Sequence, residues 1–414
     1  MDINKEIWQY RPLCLIQEML RYAWHKSLGS FICSPTPVWY NFGSKCGQEK
    51  REYLKINKDW YSIHRNLYRH ENVFYNIDNA LKTNPSIKGL ALIFFMDIGD
   101  YLYTTPMIAA LAKKYPKLKL YAYVSKNMDR NNSPLVAPLL ETNPNIDKVF
   151  YFDGYRNPVV WKNYNYKDAF KDIPEDFLVM PVYYDYSLKV PHRTYSLFET
   201  FGLPLPLKKE PPKPVFYFSK EPKPAILEAF NKINKIAKRK KGIVFLQLDS
   251  RGSNYTYPHT DTLIRALLRD DYFVISATKS AVIDDNFYLV DFKKFAFNDT
   301  ASLLHLLKAE NKVYVISINS VFWAASAGLG LPNLGLQHWI DKKVHNLWYP
   351  NILVVTDYIY PKLPKNKMFL AGEGDYKRHN KKIIDYEPAY ILKSFNKMIS
   401  KESQKESQKE KKAN

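Results

Sequence analysis

What most constrains this chain is one stretch, residues 88–125, which reads KGLALIFFMDIGDYLYTTPMIAALAKKYPKLKLYAYVS. Residues 89–96 are a continuous apolar run with no polar face, the pattern of a parallel strand buried on both sides. Asp97, Ile98, Gly99 and Asp100 interrupt it, and apolar residues return at Leu102, Ile108, Ala109, Leu111 and Ala112, which is helix spacing. Pro106 is expected in the first turn of that helix, where a missing N–H costs little. The helix should stop near Tyr115 and Pro116, and residues 118–124 alternate like a second strand. The sequence therefore predicts a βαβ unit.

In an open α/β sheet, ligands bind beyond the carboxyl ends of the strands and are met by the strand-to-helix loops. Asp97, Gly99 and Asp100 are expected in such a loop, so a carboxylate is delivered to the place where chemistry would occur. An aspartate here can also simply cap the helix, and for Asp97 both readings stand. Asp100, nearer the helix, is the stronger candidate for chemistry.

A chain of 414 residues exceeds what one core usually serves, so two domains with extensions are expected. Prolines 211, 212, 214, 222 and 224 lie among several lysines, the composition of a stiff connector. The expected division is an N-terminal, partly helical extension (1–85), a first α/β domain (86–207), the connector (208–224), a second α/β domain (225–395) and a disordered basic tail (396–414). The tail, with its repeated KESQ, has almost no apolar residue, hence the expectation of disorder. In the second domain a buried strand over 242–248 runs into Asp249, Ser250 and Arg251, which puts a cation where a phosphate would be met. A later strand over 313–318 leads through Asn319 and Ser320 into a small-residue helix over 322–329. Its N-terminus could hold a phosphate through free N–H groups, while Ala324, Ala325, Ser326 and Ala327 also suit plain helix–sheet packing. Residues 313–337 carry no charge and are long enough to cross a bilayer. Their serines, asparagines, glycines and proline instead suit strand, helix and strand in a buried core.

Against 41 acidic residues stand 61 Lys and Arg, a net charge of +20. Such a field attracts anions, whether nucleotide diphosphates, nucleic acid or an anionic membrane surface. The three cysteines, Cys14, Cys33 and Cys46, are too few and too unpaired for a disulfide framework. Together with His25 or His64 they lack metal-site spacing, so no metal is expected. No apolar signal core opens the sequence. The expected location is the cytoplasm, with peripheral contact at the inner face of the membrane allowed by the charge.

The residues so far resemble glycosyltransferase family 9, typified by the lipopolysaccharide heptosyltransferases. The resemblance rests on Gly99-Asp100 with Thr104-Thr105-Pro106 and Tyr115-Pro116, on Asn143-Pro144 with Ile146-Asp147, on FETFGLP ending at Pro204 and on ASAGLGLP ending at Pro332. It spans residues 88–350. It implies a GT-B fold, two Rossmann-like domains facing each other across a cleft, the first holding acceptor and the second a nucleotide-sugar, commonly ADP-heptose. It also implies metal-independent transfer with inversion, Asp100 being the general base and Arg251, Ser250, Asn319 and Ser320 serving the donor phosphates. Asp97, Gly99, Thr104 and Thr105 would lie on the acceptor side. Read from their positions, His192 and Arg193 could meet an anionic acceptor or equally cap and orient the following helix, and His338, just past an expected strand end, could touch the nucleotide base. One loop departs from the family. Where Asp-Thr-Gly-x-x-His is usual, this chain has Asn319, Ser320, Val321, Phe322, Trp323 and Ala324.

Three function classes remain. The first is a glycosyltransferase moving a sugar from a nucleotide-diphosphate donor, ADP-linked by the resemblance, to a glycan or lipopolysaccharide-type acceptor. The second is a catalytically inactive sugar- or nucleotide-binding protein on the same fold, prompted by the altered loop. A nucleic-acid-binding protein ranks last, because the lysines are spread along the chain without a recognition motif. Tyr183, Tyr184 and Tyr186 are a candidate acceptor wall, with core packing or surface covering the plainer alternative.

Overall fold

The computed structural model describes residues 76–94, 98–127, 137–155, 172–182, 193–204, 212–249, 256–292, 295–318, 320–337, 349, 351–356 and 386–413. Two compact units divide the chain. The main break falls between Leu207 and Lys208, and Ile98–Pro106 counts with the second unit while Met107–Leu207 counts with the first. The N-terminal extension up to residue 75, the cysteines, the tyrosine cluster at 183–186, Asp97, His192, Ser250, Arg251, Asn319 and His338 lie outside the described residues.

The first unit holds α1 (Ile77–Thr83), β1 (Gly89–Phe94), α2 (Ile98–Lys114, its last turns), β2 (Lys119–Asn127), α3 (Ala137–Glu141), β3 (Lys148–Tyr155), β4 (Phe177–Val182) and α4 (Arg193–Thr200). Its sheet has the order β3-β2-β1-β4, and every pairing is parallel. β1 is central and buried along its whole length, as its unbroken apolar run requires. Gly89 opens it because a side chain there would stand 2.3 Å from the Phe177 ring on β4.

The second unit comprises α5 (Pro224–Ala237), β5 (Ile243–Gln247), α6 (Thr260–Arg269), β6 (Phe273–Ser276), β7 (Phe287–Leu289), α7 (Phe297–Glu310), β8 (Val313–Ile318), α8 (Val321–Leu329), β9 (Asn333–Gln337), β10 (Ile352–Thr356) and α9 (Pro388–Ala413). The parallel sheet runs β10-β9-β8-β5-β6-β7. The uncharged stretch 313–337 is strand, helix and strand inside this unit. Among the described residues no helix is long and apolar enough to cross a membrane.

Two expectations are corrected. The helix after β1 starts at Ile98, so Gly99 and Asp100 occupy its first turn and not a preceding loop, and Pro106 falls in its interior. The periodicity reads late because Gly99 and Asp100 interrupt the apolar pattern in the first turn. The chain from residue 396, expected to be disordered, continues as helix to Ala413. Lys, Glu and Gln are good helix formers, and Ile391, Phe395 and Met398, buried in the second core, supply the nucleus that an isolated tail would lack. Within the partly helical extension, α1 is tied to the first unit. Lys114 Nζ and the Tyr115 hydroxyl donate to the Asp78 carboxylate at 2.9 and 2.8 Å.

Candidate functional site

Each sheet reverses its strand order once, between β1 and β4 in the first and between β5 and β8 in the second. Crevices for ligands open at such reversals, beyond the carboxyl ends of the strands. In the first unit Phe94 pairs with Val182, so the connections leaving β1 and β4 start from neighbouring positions. One leads to Gly99 and Asp100 in the first turn of α2, the other to Arg193, the first residue of α4. Both candidates thus follow the two strands that flank the reversal.

Thr104 and Thr105, expected to face the acceptor, are instead buried. Their hydroxyls donate to the carbonyls of Tyr101 at 2.6 Å and Leu102 at 2.8 Å. The second bond has a clear cause. Pro106, four residues beyond Leu102, has no N–H for the helical bond to the Leu102 carbonyl, and the Thr105 hydroxyl takes that place. The same oxygen accepts the Val215 amide at 2.8 Å. These two residues hold the start of α2 in shape.

In the second unit Gln247 pairs with Ser317, so the Asp249-Ser250-Arg251 and Asn319-Ser320 segments leave adjacent strands at the reversal. Sequence reading had picked these segments independently. Ser320 is the N-cap of α8, its side chain accepting the Phe322 amide at 3.2 Å. The Trp323 amide goes to the Ser320 carbonyl at 3.0 Å. Two of the first three α8 amides are therefore taken by Ser320, which reduces what this helix start can offer an anion. Gly99 belongs to the same unit, and a methyl built on it would stand 3.5 Å from the Val321 Cα. The start of α2, with Asp100 next in sequence, thus packs on the first residue of α8.

Sequence reading passed over a polar relay at the same edge. The Leu248 amide donates to Thr278 Oγ1 at 2.6 Å, and that hydroxyl donates to Asp249 Oδ1 at 3.1 Å. Thr278 is buried and fixed in turn, its amide donating to Ser276 Oγ at 3.1 Å and its carbonyl accepting from that hydroxyl at 2.7 Å. Gln247 Nε2 donates to the Asp249 carbonyl. The relay joins residues 29 and 30 apart in sequence, and only the pairing of β5 with β6 brings them together, so no local motif announces it. Among the described residues no group of three or more His, Cys, Asp or Glu side chains could hold a metal.

With two parallel sheets, each reversing at the segments that carry the candidates, the fold can be compared with known ones. No protein-family profile matches the sequence, and no curated protein matches it. Among solved structures, the ADP-heptose lipopolysaccharide heptosyltransferase II of E. coli superposes with a TM-score of 0.51 at 15% identity, covering 76% of this chain and 99% of that one. The chain shares that fold. A glycosyl transferase family 9 structure from Veillonella parvula gives a TM-score of 0.47 at 12% identity over 76% of this chain and 97% of that one. The E. coli heptosyltransferase WaaC, solved with ADP, gives 0.42 at 13% identity over 70% and 98%.

Proposed function

We propose that this protein is a glycosyltransferase that moves a sugar from a nucleotide-diphosphate donor to a glycan or lipopolysaccharide-type acceptor, with inversion and without a metal. The single observation that supports the reading most is the packing of Gly99 on Val321. It brings the helix turn carrying Asp100 to the start of the helix that follows the switch point of the second sheet. A carboxylate within reach of an acceptor hydroxyl can remove its proton as the sugar carbon is attacked, while cations hold the departing diphosphate. In this reading Asp100 is the general base and Arg251 the principal cation, with Ser250, Asn319 and Ser320 beside it. Asp97, His192 and Arg193 serve the acceptor and His338 the base. Residues 86–207 form the acceptor domain, 225–395 the donor domain and 208–224 the connector. ADP is the expected nucleotide, by likeness to the E. coli ADP-heptose lipopolysaccharide heptosyltransferase II. The expected setting is the cytoplasm, and the +20 charge would suit peripheral contact with the inner face of a membrane.

The test is nucleotide release from ADP-heptose in the presence of a lipopolysaccharide acceptor, with the intact chain and with Asp100→Asn. Loss of a positioned base should slow transfer by about 10²–10⁴-fold and leave ADP affinity unchanged. Equal transfer by the variant would remove Asp100 from the mechanism. A second reading, a nucleotide- or sugar-binding protein without turnover, is favoured by the Ser320 cap, which occupies two amides at the start of α8, and by Val321 and Ala324 in place of glycine and histidine. Tight ADP binding with no product from the unaltered chain would decide for it.

A further inference from the structure

Residues 231–241 read NKINKIAKRKK and form the second half of α5 and the turn into β5. The helix buries Ile226, Ala229, Ile233 and Ala237, which recur at helix spacing. Lys232 and Lys235 therefore fall on its exposed face, and the turn adds exposed Lys238, Arg239 and Lys241. Cations at a helix end complement its free carbonyls, and two of this run have a further local role. Lys238 Nζ pairs with Glu310 at 2.6 Å and Lys240 Nζ with Asp271 at 2.9 Å. Lys232, Lys235, Arg239 and Lys241 make no ion pair among the described residues. Exposed Lys312 stands beside them. The Ile243 amide donates to its carbonyl at 2.8 Å and the Lys241 amide to the Asp271 carbonyl at 3.0 Å, so the turns that lead into β5, β6 and β8 meet here. Glu310 and Asp271, two of the acids at this end, are already taken, and the one acid on α5 itself, Glu228, lies near its other end. α5 packs on α7, on the face of the sheet where Phe245 meets Phe322 of α8 at 4.6 Å. α6 and α9 cover the opposite face, so the long C-terminal helix does not stand in front of these cations.

Lysines are flexible point charges without the planar fork that reads a single phosphate, and residues 231–241 contain no aromatic side chain on which a base could stack. The face is a convex helix surface and a turn. Such a face suits smeared negative charge, and a cluster of this size on an amphipathic helix matches what anionic lipid headgroups attract. We propose that the second half of α5 and the turn after it dock on an anionic lipid surface. The apolar residues of α5 face the core, so the contact is electrostatic and nothing inserts. It gives the peripheral contact named above a place on the molecule, and it rests on that reading for its setting alone. The turn lies at the amino ends of the strands, whereas the segments at 249–251 and 319–320 leave their carboxyl ends. Lipid can therefore hold one end of this unit while the other stays open to a ligand.

The experiment is flotation of the full chain with vesicles of phosphatidylcholine alone, or of equal parts phosphatidylcholine and phosphatidylglycerol. The α5 variant combines Lys232→Gln, Lys235→Gln, Arg239→Gln and Lys241→Gln; glutamine forms helix nearly as well as lysine, and a thermal melt confirms that the fold is kept. The control removes the same charge from exposed positions of the first unit, with Lys113→Gln, Lys117→Gln, Lys119→Gln and Lys148→Gln. The unaltered chain and the control should bind the anionic vesicles and not the neutral ones, more weakly as salt is added. Each cation near an anionic surface is worth about fivefold in binding, so the α5 variant should bind about hundredfold or more weakly. Equal losses in both variants trace binding to net charge and overturn the proposal. So does an α5 variant that floats like the unaltered chain, or an unaltered chain that floats with neither vesicle. Retention of the unaltered chain on duplex DNA but not on anionic vesicles, lost in the α5 variant, overturns it in favour of a nucleic acid. ADP titration of the same proteins separates the two readings: failed flotation with ADP bound removes the lipid surface and leaves the donor reading, and the expected flotation without ADP binding does the reverse.

Discussion

The Thr105 hydroxyl stands in for an amide that Pro106 lacks, and Thr105→Val puts a number on that role. Valine keeps the branched shape and deletes the oxygen. The Leu102 carbonyl then has neither the hydroxyl at 2.8 Å nor a helical N–H from residue 106, in a turn where the Leu102 side chain is fully buried. Leaving one such group unpaired costs about 1–3 kcal/mol, with a smaller addition for the Val215 amide, whose residue is partly exposed and reaches water. Thr104→Val is the internal control. Its hydroxyl donates to the Tyr101 carbonyl at 2.6 Å, but residue 105 is not proline, so that carbonyl keeps its helical amide and the cost should stay below about 1 kcal/mol. Adding Pro106→Ala to Thr105→Val returns an N–H to Leu102 and should recover about 1 kcal/mol as a coupling energy. Equilibrium urea unfolding of the five proteins, intact chain included, gives each value. Equal losses for the two threonine variants, or strict additivity with Pro106→Ala, would refute the exchange of hydroxyl for amide.

Three further outcomes follow from packing and charge. The Asp78 carboxyl is held below its usual 3.8, foremost by the Lys114 hydrogen bond and also by Tyr115, against an opposing effect of burial. A folded value below the unfolded one means the contribution is complete above pH 3.8 and is lost as pH falls through the folded value. Asp78→Asn should therefore flatten the acid limb of a stability–pH curve measured from about pH 5 to pH 2; an unchanged limb contradicts the contact. Phe395 is fully buried, with ring centroids 5.5 Å from Tyr272 and 5.6 Å from Tyr314, so Phe395→Ala should cost about 3–5 kcal/mol. Deleting residues 401–414 should change stability by less than about 0.5 kcal/mol, both read by thermal melting.

How far the sequence revealed this structure depends on the range of the interactions. Buried parallel strands were legible because a strand covered on both faces has to be apolar throughout, as residues 89–94 and 313–318 are. The start of α2 was misplaced because Gly99 and Asp100 break the apolar pattern of its first turn, and because proline suggests a helix start unless something replaces its amide. That replacement, the Thr105 hydroxyl, looks like any other threonine in one dimension. The tail misled for the opposite reason. Its composition is that of a soluble coil, but the apolar residues that anchor it, Ile391 and Phe395 just upstream and Met398 at its start, become an anchor only when packed on the second core. The candidate loops were found because they follow strands, and their meeting at a reversal follows from the sheet order. Asp249 and Thr278 meet only across β5 and β6, a neighbourhood that no spacing along the chain encodes.

At the start of α8 the Phe322 amide donates to Ser320 Oγ and the Trp323 amide to the Ser320 carbonyl, and Val321 carries a branched side chain where a glycine would let a ligand approach the backbone closely. Under the proposed transfer reading a diphosphate therefore meets fewer free amides at this helix start, and the +20 net charge supplies attraction only from a distance. Ser320→Ala frees the Phe322 amide without touching the Trp323 amide, which a backbone carbonyl still accepts, so under that reading it should tighten ADP binding measured by calorimetry; unchanged affinity would remove the α8 start from the donor contacts.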